Sequence, residues 1–237
     1  MSEKLFLDID RTVAEIRNNI IKAAHSAGRD PKEIRLMAVT KTVPPEIVNE
    51  AIDAGCDLVG ENRVQELLEK YDTYRPGTEI HFIGHLQTNK VKYIVDKVSM
   101  IESVDSIHLA EEIEKCCAAI GKVMDILLEV NIAEEESKSG FTCDEIKSVV
   151  EKIRAFPHLR LCGLMTIGRF DANFEERKHY FEKNRLLFID IRDKKRDNKD
   201  ISILSMGMSS DYELAIAEGA TEVRIGRGLF GERKRKQ

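Results

Sequence analysis

Apolar residues recur along this chain in two alternating rhythms. Leu5, Ile9, Val13, Ile16, Ile20 and Ala24 lie three and four residues apart, the spacing of one helical face, and predict a helix over about residues 5–28 that stops at Gly28. Eight short runs follow: RLMAV from Arg35, DLVG from Asp57, IHFIG from Ile80, VSMIES from Val98, MDILLEV from Met124, LRLCGLM from Leu159, ISILS from Ile201 and EVRIG from Glu222. Stretches with helical spacing or helical caps separate them. Pro45 suits a first-turn position, Thr142 with Glu145 and Ser210 with Glu213 have capping-box spacing, and Gly55, Gly121 and Gly219 stand where helices should stop. Runs this apolar are buried on both faces, and helices between them imply parallel pairing. Eight such units in 237 residues predict a closed (β/α)8 TIM barrel, with an open doubly wound sheet as the alternative.

Composition narrows the picture. No low-complexity linker divides the chain, so we expect one domain over residues 1–237, with a polar loop EEESKSG at 134–140 and a basic tail at 233–237. Basic and acidic residues are intermixed at a net charge of -5, which leaves no global field to hold nucleic acid. The tail is read as a solvated end. Five cysteines without a CxxC pair, and a start lacking an apolar signal segment, point to a reducing cytoplasm with free thiols. No apolar stretch approaches the roughly 18 residues of a membrane helix, and no exposed apolar stripe calls for an oligomer, so a monomer is expected.

In a barrel, function collects where strands end. Lys41 follows the first run, Asn62 the second, GHLQTNK the third, Asn131 the fifth and Thr166 the sixth. SMGMSS follows the seventh and Gly226 to Gly228 the eighth, the pair of loops with which barrels commonly hold phosphate. Gly207, Gly226 and Gly228 would let backbone N–H groups approach an anion, and Ser205 or Ser209 could add a hydroxyl. The plainer alternative is a capped helix and tight turns. Arg224 alternates with Val223 and Ile225, so it should face the barrel interior, paired with a carboxylate such as Glu61 or Glu129 or turned to a ligand. Lys41 marks either the point where a strand meets water or, across the mouth from a phosphate site, an amine able to form a Schiff base with a phosphorylated aldehyde.

The motifs AVTKT, GENRVQE, HFIGHLQTNK, SVDS, ESKSG, GLMTIG, LSMGMSSDYELAIAEGATEVRIG and LFGER, in this order from about Leu36 to Arg233, closely resemble the family of pyridoxal phosphate homeostasis proteins. The resemblance implies an alanine-racemase-type barrel with pyridoxal 5'-phosphate held as an aldimine of Lys41. It further implies that Ser205, Ser209 and the backbone at Gly226 and Arg227 hold the phosphate, that Arg224 faces the pyridine nitrogen, and that Asn62 lies beside the cofactor. No metal is implied. Arg227 stands where the commonest family pattern has a small hydroxyl residue, so a charge-assisted bond or a backbone N–H alone would serve there. His81, Gln87, Asn89 and Lys90 belong to a family signature whose role the sequence does not give, and Lys90 and Lys138 are read as solvated.

A guanidinium only donates hydrogen bonds and stays charged, so Arg224 would leave the ring nitrogen unprotonated and the electron sink weak. A second catalytic base of the racemase kind is absent from the chain's motifs, and Tyr212 is expected in a core or on a surface. The expected function is therefore a carrier and regulator of the cofactor, passing it to apo-enzymes without robust turnover; a weak amino-acid racemase is the alternative.

Overall fold

The computed structural model describes residues 8–135, 138–193 and 201–231; Leu5, part of the polar loop and the basic tail lie outside them. All eight apolar runs carry strands: β1 (Arg35–Val39), β2 (Leu58–Glu61), β3 (Ile80–Phe82), β4 (Met100–Val104), β5 (Met124–Val130), β6 (Leu159–Thr166), β7 (Ile203–Met208) and β8 (Glu222–Ile225). They pair in parallel in chain order, and β1 closes on β8 with Arg35 opposite Glu222 and Ala38 opposite Ile225. The sheet is a closed barrel, not the open alternative.

Helices α1 (Ile9–Ser26), α2 (Pro45–Asp53), α3 (Val64–Lys70), α4 (Ile107–Ile120), α5 (Ile146–Ile153), α6 (Phe174–Asp193), α7 (Tyr212–Ala217) and α8 (Arg227–Phe230) surround it. Between β3 and β4 the crossover is a 3-10 segment, Thr88–Tyr93, in place of an α-helix. Pro45 opens α2 as expected. Gly121 ends α4 at φ 65°, a conformation that costs a side-chain-bearing residue about 1 kcal/mol. Neither predicted capping box forms in full. Glu145 accepts the Thr142 N–H at 2.9 Å but itself stands at the N-cap of α5. Ser210 caps nothing; its Oγ accepts from Arg177 at 3.2 Å, and Asp211 is the N-cap of α7.

Two kinds of core result. Outward-facing strand residues such as Val59, Val223 and Ile225 pack with helical residues such as Leu67 and Ile113. Inside the barrel the apolar clusters are small, Met37 with Leu58 and Ile83, and Met100 with Leu127, Cys162 and Met165. The rest of the interior is polar: His81, Glu102, Ser205, Glu222 and Arg224 are each no more than 4% exposed. Charges buried this deeply persist only when matched.

Candidate functional site at the barrel mouth

A cavity of about 270 Å³ opens where the strands end, lined by Val39, Lys41, Asn62, Ile83, Ile167, Arg169, Phe170, Arg177, Met208, Ser209, Ser210, Asp211, Arg224, Gly226 and Arg227. Of the seven residues that the resemblance assigns to the cofactor, six meet there. Ser205 does not line it. Strand β7 runs to Met208, so Ser205 lies mid-strand and fully buried, its hydroxyl donating to Glu102 Oε2 at 2.6 Å and accepting from Arg224 at 2.7 Å.

Arg224 points inward, as the alternation required, but neither Glu61 nor Glu129 is its hydrogen-bond partner. One terminal nitrogen donates to Ser205 and the other to the Thr166 carbonyl at 2.7 Å. Glu61 lies on the other face of its strand and bonds Thr40, Lys70 and Tyr74 outside the barrel. Behind Ser205 the chain of contacts continues inward, Glu102 to His81 Nδ1 at 2.6 Å and His81 Nε2 to Glu79 at 2.9 Å. Burial opposes charge on His81, but Glu222, Glu102 and Glu79 around it outweigh that and raise its pKa well above the usual value. Burial likewise opposes charge on Glu102, yet His81 and Arg224 hold its carboxyl down at about 2. Glu129, at the end of β5, is pushed up to about 7 by burial and by Asp105, against Arg224 and His85.

Ser209 ties the last two loops together. Its Oγ accepts the N–H groups of Gly226 at 3.3 Å and Gly228 at 3.0 Å, so two amides and one hydroxyl converge on one point. Arg227 turns its guanidinium over the Phe170 ring, 5.6 Å from the centroid. Asn62 Oδ1 is buried without a hydrogen-bond partner, and Gly84 has no room for a side chain because a Cβ there would stand 2.1 Å from the Asn62 carbonyl. Among the named lining residues, five side chains are cationic and only Asp211 is a carboxylate. Asp211 is itself engaged, with Met208 N–H at 2.7 Å and Arg177 at 3.4 Å.

Lys41 is half-buried on a turn closed by Val43 N–H to the Thr40 carbonyl at 3.0 Å. Thr42, next to it, has φ 62°, a left-handed conformation that costs a β-branched residue about 1–3 kcal/mol. The buried Lys70 ammonium donates to the Thr40 carbonyl at 2.9 Å and to Glu61 at 3.2 Å, while Glu66 accepts the Thr42 N–H at 2.7 Å. No sequence pattern assigned a role to Glu66, Lys70 or Arg177, because each acts from an element distant in the chain, whereas Thr166, noted at the end of the sixth run, contributes its backbone carbonyl to Arg224.

The unexplained signature disperses. His81 is inside the barrel; Gln87 and Lys90 line a separate groove of about 750 Å³ that also touches Asn62, and Asn89 is exposed. Lys90 lies 5.7 Å from the Tyr93 ring, and Lys138 pairs with Glu135 at 2.6 Å. Tyr212 is buried, its hydroxyl accepting from Asn19 of α1 at 3.1 Å.

The model of the alanine racemase N-terminal domain matches residues 12–234. A pyridoxal phosphate homeostasis protein of Aquifex aeolicus is 44% identical over 225 residues, 94% of this chain and 97% of that protein. One from Escherichia coli is 37% identical over 230 residues, 95% and 97% of the two chains. The solved structure of PipY from Synechococcus elongatus with PLP bound superposes with a TM-score of 0.82 at 30% identity, covering 94% of this chain and all of that one. With its barrel and with relatives of this closeness along nearly its whole length, the chain belongs to the family of pyridoxal phosphate homeostasis proteins, built on the alanine racemase N-terminal domain.

Proposed function

We propose that this protein binds pyridoxal 5'-phosphate at the barrel mouth through Lys41 and serves vitamin B6 homeostasis as a carrier and regulator, without robust turnover. The observation that carries the reading is the convergence of an amine, a hydroxyl-and-amide cluster and a buried guanidinium on one cavity. The relatives named for pyridoxal phosphate homeostasis, and the cofactor in the PipY structure, support it.

The residues fit the group. A surplus of cations suits a dianionic phosphate, and the unpartnered Asn62 Oδ1 needs a donor such as a phenolic hydroxyl. When bound, the cofactor supplies an aldehyde that condenses reversibly with an amine and releases water. Lys41 is that amine. Ser209 and the backbone at Gly226 and Arg227 hold the phosphate, while Ser205 acts only through Arg224. Arg224 offers donors alone to a ring nitrogen and transfers no proton. The one carboxylate of the lining is spent on Met208 and Arg177, and Tyr212 is turned into the contact with α1, so neither is poised as a base against a substrate. The partners are apo-enzymes that receive the cofactor. The five free cysteines suit a reducing cytoplasm, and among the described residues no helix is long and apolar enough to cross a membrane.

The test is reductive trapping. Protein loaded with pyridoxal phosphate and treated with borohydride should gain the reduced cofactor's mass at Lys41, and Lys41→Ala should gain none. Incubated with amino acids in deuterated water, the loaded protein should exchange the alpha proton no faster than free cofactor does. Trapping at another residue removes the first half of the proposal; rapid exchange abolished by Lys41→Ala removes the second.

A further inference from the structure

The turn that carries Lys41 is held against its own backbone preference. Thr42 sits at the third position of the Thr40–Val43 turn, where glycine is the usual occupant when φ is positive. A threonine keeps that conformation only where its surroundings impose it. Three contacts, all from outside the cavity, do so. Glu66 Oε2 accepts the Thr42 N–H at 2.7 Å, the Lys70 ammonium holds the Thr40 carbonyl at 2.9 Å, and Glu61 Oε1 takes the Thr40 hydroxyl at 2.6 Å. The clamp is itself braced, for Lys70 also contacts Glu61 at 3.2 Å and Glu66 at 3.6 Å, and the Tyr74 hydroxyl donates to Glu61. Burial and the Glu61 carboxylate raise the Tyr74 pKa far enough that this donor stays protonated.

From this geometry we infer that Glu66, Lys70 and Glu61 are positioning residues for Lys41, fixing the Thr40–Thr42 backbone so that its amine is presented in one orientation at the barrel mouth. None of the three lines the cavity that holds Lys41. They act through the backbone on either side of that residue, and α3 becomes a support for the reactive amine as well as a barrel helix. The inference rests on the proposed role of Lys41, but its first readout does not.

Glu66 is the residue to change, because it is only partly buried, whereas loss of Lys70 would strand a fully buried Glu61. In cofactor-free protein, Glu66→Ala should raise amide hydrogen exchange at Thr42 about tenfold, the effect of losing a hydrogen bond to a charged acceptor. Glu66→Gln, which keeps an acceptor oxygen, should restore most of the protection. In pyridoxal phosphate titrations followed by absorbance, Glu66→Ala should weaken binding about tenfold, and Glu66→Gln should recover it, with melting temperatures showing both variants folded. Unchanged exchange at Thr42 in Glu66→Ala overturns the clamp. Faster exchange with unchanged cofactor affinity overturns its connection to Lys41. If wild-type protein fails to trap the cofactor at Lys41, the proposed function falls while the exchange result still judges the clamp.

Discussion

Glu129 shows how a single side chain near the site shapes stability. Its carboxyl is half-buried beside Asp105, with Arg224 and His85 facing it, and its pKa is pushed up to about 7. An acid whose folded pKa exceeds its unfolded value binds protons more tightly in the native state, so its contribution falls as pH rises from about 4.5 to about 7. Glu129→Gln is neutral at every pH. Urea midpoints should therefore show the variant gaining on wild type at pH 8 relative to pH 5; an equal offset at both pH values would mean that Glu129 titrates normally. At the same scale, Ser205 illustrates what a strand end hides in sequence. The ISILS run ends at Ser205, and the glycine and serines that follow resemble a loop, yet β7 continues three residues further to Met208. That extension moves Ser205 inside the barrel and leaves Ser209 at the true end.

At the scale of elements, the alternation of apolar runs and helical stretches made the barrel legible, because a doubly buried strand cannot disguise its composition. Lys41, Asn62, Gly226 and Arg227 were legible for the same reason, as positions close after the apolar runs, while Ser209 was reached only through the glycine- and serine-rich stretch beyond the seventh run. The partners that hold them were not. Arg224 finds Thr166 from β6, and the Lys41 turn finds Lys70 from α3, pairings set by closure of the barrel and recorded in no local pattern. Helix α3 should accordingly matter more than its seven residues imply. Lys70→Met would leave Glu61, fully buried, without its cation, and we expect a loss of about 3–5 kcal/mol in chemical unfolding. The double variant Lys70→Met with Glu61→Leu should recover a large part of that loss, since an apolar replacement of similar volume removes the stranded charge.

At the scale of the whole molecule, the net charge and the site have opposite signs. The chain carries -5, while five cations surround the cavity. Attraction of a phosphorylated aldehyde is thus a local field acting against a repulsive background, and salt screens whichever dominates at the distance of encounter. Stopped-flow association of pyridoxal phosphate should slow as ionic strength rises; a rate that climbs with salt would show the overall charge prevailing. The interior network has a different reach. Glu79, His81, Glu102, Ser205 and Arg224 form one continuous set of contacts from the lower rim to the mouth. An acid or base lost from the middle leaves its neighbour uncompensated in a place water cannot reach. Evolution should therefore alter this lineage of side chains in concerted steps, so that among descendants the identities at 81, 102, 205 and 224 drift together or stay put.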